Sequence, residues 1–393
     1  LRFIHQHVAE AFQRIGGVDD PPVRPIIGAE NIYFYRNKME YSFSEHQWLE
    51  YPPAGDETGN SPDTPPTSRP PTTFHPSPVF LGLHVPQRYD KVLDIDECHL
   101  QSDVSNRILG FIRDYALKHS LPVYSSRTNS GYLRFLVIRQ SRRTGGLMVN
   151  CVTFEDWPEV MRALTAELTA AIPEVTTVVN TINDRKAQIA YGDRETVYFG
   201  EGVIEERLGR HRFRISAQSF FQTNTEQAER LYAVVRDLAG LSGKETVYDL
   251  YSGTGTIALE LSDVAWEVVG IESVASSVAD AERNAKANNV RNCRFVLGDL
   301  KDRLTKDTTW MQELPAPDVL IIDPPRSGMH PGVVEAIRSM RVPRIVYVSC
   351  NPATQARDVR MLSPDPYRLL SLQPVDMFPH TYHIENVALL ELV

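Results

Sequence analysis

From about residue 224 to the end, short and almost wholly apolar segments alternate with amphipathic ones, and this alternation leaves very few folds open to the chain. ETVYDLY, VVGIES, RFVLGDL, DVLIIDPP, RIVYVSC and ENVALLELV read as strands, with helices expected at 256–262, 275–288, 331–339 and 353–361. A strand that is apolar on both sides needs cover on both sides, which is the situation of a parallel sheet flanked by helices. The fold class is therefore α/β, a Rossmann-like, doubly wound and mostly parallel sheet. Right-handed crossovers and a ligand crevice at the carboxyl ends of the strands follow from that topology. A helix capped by Asn224 or Thr225, with Ala228, Leu231, Val235 and Leu238 on one face, leads into it.

Upstream the pattern differs. Residues 79–215 read as an α+β central domain. It holds the helix DVSNRILGFIRDYALKH, a hairpin of YLRFLVIRQ and LMVNCVTF, a helix in DWPEVMRALTAELTAAIP capped by Asp156, and the strands TTVVNTIN, VYFG and GVIEERLGRHRFRIS. Residues 1–51 hold a first helix and the strand YRNKMEYSF, which opens the same central domain. Residues 52–78, rich in Pro, Thr, Ser and Gly, read as a flexible insertion into a hairpin that VFLGLHV resumes. The catalytic domain then spans 216–393.

Composition narrows the function classes. Four scattered cysteines give neither a disulfide framework nor zinc spacing, so no metal and a reducing, cytoplasmic location are expected. No apolar run is long enough to span a membrane, and the N-terminal LRFIHQHVAEAFQRIGG is no secretory signal. A net charge of −9 speaks against nucleic acid as a partner. Two basic stretches, Arg127 to Arg143 (with Arg134, Arg139 and Arg142) and Arg207 to Arg214 (with Arg210, His211 and Arg212), could still meet a phosphate backbone locally; solvated strand faces are an equal reading.

The first strand runs into YSGTGT, where Gly253 and Gly255 allow a tight turn and close approach of a ligand to the backbone. The third glycine of the dinucleotide fingerprint is absent. Glu272 at the tip of the next strand suits a pair of ribose hydroxyls. Asp299 at the third tip suits an adenine amino group or, equally, a helix N-cap. Asp323-Pro324-Pro325-Arg326 makes a rigid extended loop at the fourth tip. Cys350 ends the fifth strand just before a helix N-terminus, a setting expected to lower its thiol pKa, although a lone cysteine is more often a buried apolar residue.

Together, DLYSGTGT, GIES, DPPRSG, VSCNP and HIENVALLEL, in this order, resemble the uracil-5 RNA methyltransferase family, whose bacterial members act on transfer RNA and on large-subunit ribosomal RNA. YRNKMEYSF, KVLDIDECHLQ, GYLRFLVIR and SFFQTN extend the resemblance over nearly the whole chain. It implies a class I methyltransferase domain, S-adenosyl-L-methionine as cofactor, and RNA as partner. The implied substrate is a uridine of ribosomal RNA, most directly 23S, with transfer RNA uridine-54 as the alternative. Cys350 is implied to add to C6 of the uracil, which makes C5 nucleophilic towards the methyl sulfonium, and Glu385 to remove the C5 proton afterwards. Gln222, Tyr251, Thr256 and Asp323 match cofactor-contacting positions, beside Gly253, Gly255, Glu272 and Asp299; the family often has Asn at the place of Thr256. Phe220, Asp323, Arg326 and Arg134 are the candidates for substrate contact, and His383 for orienting the site. Many relatives carry an N-terminal barrel and a four-cysteine iron–sulfur site; neither lies in this sequence, so a truncated chain or a cluster-free subfamily is expected. A monomer is the default. The competing readings are a class I methyltransferase acting on another atom, and an RNA-binding protein without turnover.

Overall fold

A computed structural model describes residues 1–48, 78–85, 88–306, 309 and 313–393. Most of the expected 52–78 insertion therefore lies outside the described residues. The chain forms two compact units, one of residues 37–141 and 145–204, the other of residues 1–36, 142–144 and 205–393.

In chain order the elements are α1 (Arg2–Arg14), β1 (Lys38–Ser44), β2 (Phe80–Val85), β3 (Arg88–Asp94), α2 (Asp103–Lys118), β4 (Leu133–Gln140), β5 (Leu147–Thr153), α3 (Pro158–Ala171), β6 (Thr177–Ile182), β7 (Arg194–Phe199), β8 (Val203–Leu208) and β9 (His211–Ser216). There follow α4 (Thr225–Ala239), β10 (Thr246–Leu250), α5 (Thr256–Leu261), β11 (Glu267–Glu272), α6 (Ala275–Ala287), β12 (Cys293–Leu297), α7 (Leu300–Thr305), β13 (Val319–Ile322), α8 (Pro331–Met340), β14 (Arg344–Ser349), α9 (Pro352–Leu362), β15 (Tyr367–Val375) and β16 (Glu385–Leu392).

The first unit is a seven-stranded sheet ordered β3-β2-β1-β4-β5-β6-β7. Its pairs are antiparallel except β5 with β6, and β1 meets β2 through Ser42 and Gly82. The apolar faces of α2 and α3 (Ile108, Leu109, Ile112, Leu164, Leu168) close a core over it. The N-cap of α3 is Trp157, without a side-chain cap, so the Asp156 cap expected from sequence does not form.

The second unit is built on the order β12-β11-β10-β13-β14-β16-β15. Strands β10 to β14 run parallel and β16 is antiparallel between β14 and β15. Strands β10 and β13 are buried along their whole length, as strands covered by helices on both faces must be. Helix α1 belongs here and not to the central domain, because Ile4, Val8, Ala11 and Phe12 pack into the core containing Tyr248, Ile345 and Leu390. The loop after it adds to the sheet edge, where Val23 and Ile27 bridge Leu372 and Val375 of β15. Residues 205–215, placed by sequence in the central domain, also fall in this unit.

Candidate active site

Five strand tips of the second unit converge on one cleft of about 600 Å³. Its wall contains Phe220, Gln222, Tyr251, Gly253, Thr256, Glu272, Asp323, Arg326, Cys350 and Glu385, so the topology brings most of the expected residues together. Asp299 lies outside it. Its carboxylate caps α7, accepting from the amides of Lys301 and Asp302, and it lines a neighbouring hollow that shares Tyr251, Ser273 and Pro325 with the cleft. Gly255 caps α5 with φ +78°, and a Cβ there would meet the Phe295 ring at 2.9 Å. Only glycine satisfies both conditions.

The glycine turn is held by a carboxylate. Glu272 accepts from the Gly253 amide at 3.0 Å and the Val274 amide at 2.8 Å, tying the tip of β11 to the loop after β10. Tyr251, the first residue of that loop, takes φ +67°, an uncommon conformation for an aromatic residue and a cost accepted where a loop is functional. The Thr256 hydroxyl shares a hydrogen bond with buried Tyr232.

Asp249, which opens the DLYSGTGT motif but is not among the site residues expected from sequence, is 0% exposed yet lines the cleft, and neither of its carboxyl oxygens meets a donor in hydrogen-bond geometry. Burial first, then the Asp323 charge, hold its carboxyl well above the usual range, with the nearby Ala258 amide offsetting part of this. Orphaned acidity on the wall, two glycines at positive φ, and the volume all suit a cationic adenosyl sulfonium. The lining fits such a cofactor, which Glu272, Tyr251, Asp249 and Gln222 would be placed to hold.

The reacting end is a group of acids around a thiol. Cys350, half-buried, is pushed up to about 11 by desolvation and then by the Glu385 and Asp323 carboxyls, with Arg326 opposing. The expected lowering by the helix N-terminus is thus outweighed: burial among carboxyls disfavours a thiolate more strongly than one helix end favours it. Burial pushes Asp323 up to about 7. Glu385, 5% exposed, is raised well above its usual value by burial and by Asp323.

Arg326 is placed from the helix that follows the cysteine. The Asn351 amide group donates to the Arg326 carbonyl at 3.1 Å while its carboxamide oxygen caps α9 at Ala353. Arg357 holds the carbonyls of Ser327 and Met329, and fully buried Asp358 accepts from the Met329 amide and the Tyr347 hydroxyl. The Arg326 guanidinium meets His383 Nδ1 at 3.0 Å. Because a guanidinium can only donate, His383 accepts at Nδ1 and carries its proton on Nε2. Burial and the charges of Arg326 and Arg36 lower the His383 pKa, which keeps the ring neutral. Arg36 also lines the cleft; nothing in the local sequence of YRNKMEY marks it as such.

Arg134 is corrected by the structure. It belongs to the other unit, is 2% exposed, and donates to the carbonyls of Asn183, Arg185 and Ala187 at 2.6–2.7 Å. Both terminal nitrogens of its guanidinium are thus taken up by a loop of its own unit. The two basic stretches are divided in their exposure, with Arg127, Arg207 and Arg214 on the surface. Arg139 and His211 are buried, while Arg143, Arg210 and Arg212 pair with Glu229, Asp263 and Glu205.

Comparison with known proteins agrees in sequence and in shape. Residues 147–393 match the family described as tRNA (uracil-5-)-methyltransferase. An uncharacterised RNA methyltransferase of Bacteroides thetaiotaomicron is 43% identical over 100% of this chain and 83% of its own length. One from Porphyromonas gingivalis is 43% identical over 99% and 81%. Among solved structures, the Pyrococcus abyssi tRNA (uracil-54, C5)-methyltransferase in complex with S-adenosyl-L-homocysteine aligns with a TM-score of 0.72 at 28% identity, covering 99% of this chain and 83% of that one.

Proposed function

Since the chain belongs to the tRNA (uracil-5-)-methyltransferase family and is an S-adenosylmethionine-dependent RNA methyltransferase, we propose that it methylates C5 of a uridine through a covalent bond between Cys350 and C6. The observation that carries this is the meeting of Cys350, Glu385 and Asp323 in one cleft, with Asp323 pushed up to about 7 and Glu385 raised well above the usual carboxylate range.

Cys350 Sγ, once its proton has passed to solvent water, adds to C6; the electron pair of the C5–C6 bond moves through C5 towards the O4 carbonyl. The cofactor supplies an electrophilic methyl group to C5. Glu385 then takes the C5 proton, the C5–C6 double bond reforms, and the C6–S bond breaks to return the thiolate. A carboxylate held above its ordinary pKa is a stronger base than a solvated one, which suits it to a carbon acid. Asp323, near 7, can exchange a proton at the uracil edge at neutral pH. Arg326, fixed by neutral His383, supplies a cation where charge develops on the ring oxygen. Methylation of a ring nitrogen would require no thiol and leaves Cys350 without a role.

The RNA proposed first is ribosomal, from the large subunit. Transfer RNA uridine-54 is a second reading, supported by the similarity to the P. abyssi enzyme. Mass spectrometry of both RNA pools from a deletion strain separates them by which 5-methyluridine disappears. For the chemistry, RNA carrying 5-fluorouridine, whose C5 fluorine cannot leave as a cation, should trap a stable RNA–protein adduct on denaturing gels. Cys350→Ala should abolish both adduct and turnover; a variant that still methylates would refute the covalent route.

A further inference from the structure

Two segments of the catalytic unit line the cleft at one end and leave it at the other. One is residues 31–36, which place Arg36 in the wall and then expose Tyr33 (50%) and Phe34. The other is residues 378–383, which place Phe378 and His383 in the wall and expose His380 and Tyr382 (72%). The Tyr35 hydroxyl joins them by donating to the Pro379 carbonyl at 2.9 Å. Outside the cleft the Tyr33 ring stacks on His380, with centroids 4.5 Å apart and planes 19° from parallel. Tyr382 packs against His383 at 4.4 Å and lies 5.6 Å from the Arg326 guanidinium.

This shelf adds little to the core. Its rings remain in water, and Phe34 (φ +52°) and His380 (φ +63°) hold the left-handed conformation that side chains avoid. Exposed aromatic rings beside two cations, at the mouth of a cleft, have the composition of a surface for unpaired nucleotides. A uridine seated against Cys350 must be flipped out of its stack, so its neighbours are splayed at the same mouth and require new faces.

We propose that the shelf of Tyr33, His380 and Tyr382 is a stacking platform for the nucleotides flanking the target uridine, with Arg36 facing their phosphates. The inference rests on the reading of the cleft as a uridine site. Stacking is a property of a π-face and not of apolarity, which gives the test its form. Unmodified transcripts of transfer RNA and of large-subunit ribosomal RNA serve as probes, with KM for RNA and KM for S-adenosylmethionine measured separately. Tyr33→Leu and Tyr382→Leu should each raise KM for RNA by about tenfold, with the cofactor KM unchanged, and Tyr33→Phe and Tyr382→Phe should restore it. Thermal melts should match wild type, since both side chains are exposed. The platform is overturned if the double leucine variant keeps the wild-type RNA KM, or if the phenylalanine variants fail to rescue. A wild-type enzyme that methylates neither transcript pool counts instead against the uridine reading itself.

Discussion

The thiol of Cys350 should be unreactive in the free enzyme, and the degree follows from its surroundings. With a pKa near 11, about one part in a thousand is thiolate at pH 8, against about a quarter for an ordinary cysteine at pKa ~8.5. Iodoacetamide should therefore modify Cys350 roughly two hundred times more slowly than free cysteine at that pH, before any steric factor. The rate should climb about tenfold per pH unit from 8 to 10, because the reactive form grows in that proportion. The neighbours set the direction of each variant. Glu385→Gln removes a like charge facing the thiolate, so the pKa falls and the rising limb moves to lower pH. Arg326→Gln removes an opposing charge and moves it to higher pH. Pseudo-first-order labelling followed by peptide mapping assigns the site, since Cys293 is itself pushed up to about 12 and Cys98 and Cys151 are buried. A wild-type rate that levels off below pH 9, or a Glu385→Gln limb displaced upward, would refute the electrostatic account.

Four further outcomes are expected. Glu385→Gln should lower kcat by about 10²–10⁴-fold and accumulate an RNA–protein adduct on denaturing gels with ordinary RNA, because the methylated ring cannot lose its C5 proton; fast turnover without adduct would remove the residue from that role. In wild type the rate should fall as pH drops through the raised pKa of Glu385, since only the carboxylate accepts the proton. Arg134→Met should cost about 2–5 kcal/mol in chemical or thermal unfolding by leaving three carbonyls without their donor, while the salt dependence of RNA binding stays that of wild type; a flatter salt slope would mean that Arg134 contacts phosphate after all. Asp358→Ala should destabilise the catalytic unit by roughly 3–5 kcal/mol, seen as a lower unfolding midpoint, because it leaves the buried Tyr347 hydroxyl and Met329 amide without their acceptor and removes the carboxylate beside Arg357; a change below 1 kcal/mol would show that these groups find other partners.

What could be read in the sequence was what periodicity and loop chemistry encode. The strands β10 to β14 announce themselves by short, mostly apolar runs, and their tips by glycine, acid, Pro-Pro and cysteine. Strand β15 was missed because YRLLSLQPV mixes polar residues and a proline into an edge strand, where only one side needs a partner. Helix α7 was legible only through Asp299 read as an N-cap, because its six residues are too few to show a period. Arg134 misled because a charged side chain in a strand is usually exposed. Only the fold shows that three carbonyls from residues 183–187 close over it.

The electrostatics of the site was illegible for a deeper reason. Asp249, Asp323, Cys350 and Glu385 are separated in sequence by tens of residues, and each has a local setting that suggests an ordinary ionised acid or an activated thiol. The shared cleft changes all four at once. Desolvation penalises every negative charge, and each carboxylate that does ionise makes the next more costly. The protons of this cluster therefore belong to the group and not to its members. A free enzyme built this way holds its nucleophile protonated and its base raised, and a cation entering the cleft lowers all of these pKa values together. Cys350 reactivity should accordingly rise when S-adenosylmethionine binds and less when the uncharged-sulfur product S-adenosylhomocysteine binds, since only the former brings a sulfonium. Labelling at pH 8 with saturating amounts of each ligand decides it: equal rates with both would show that the ligands act by shielding the cleft and not through charge.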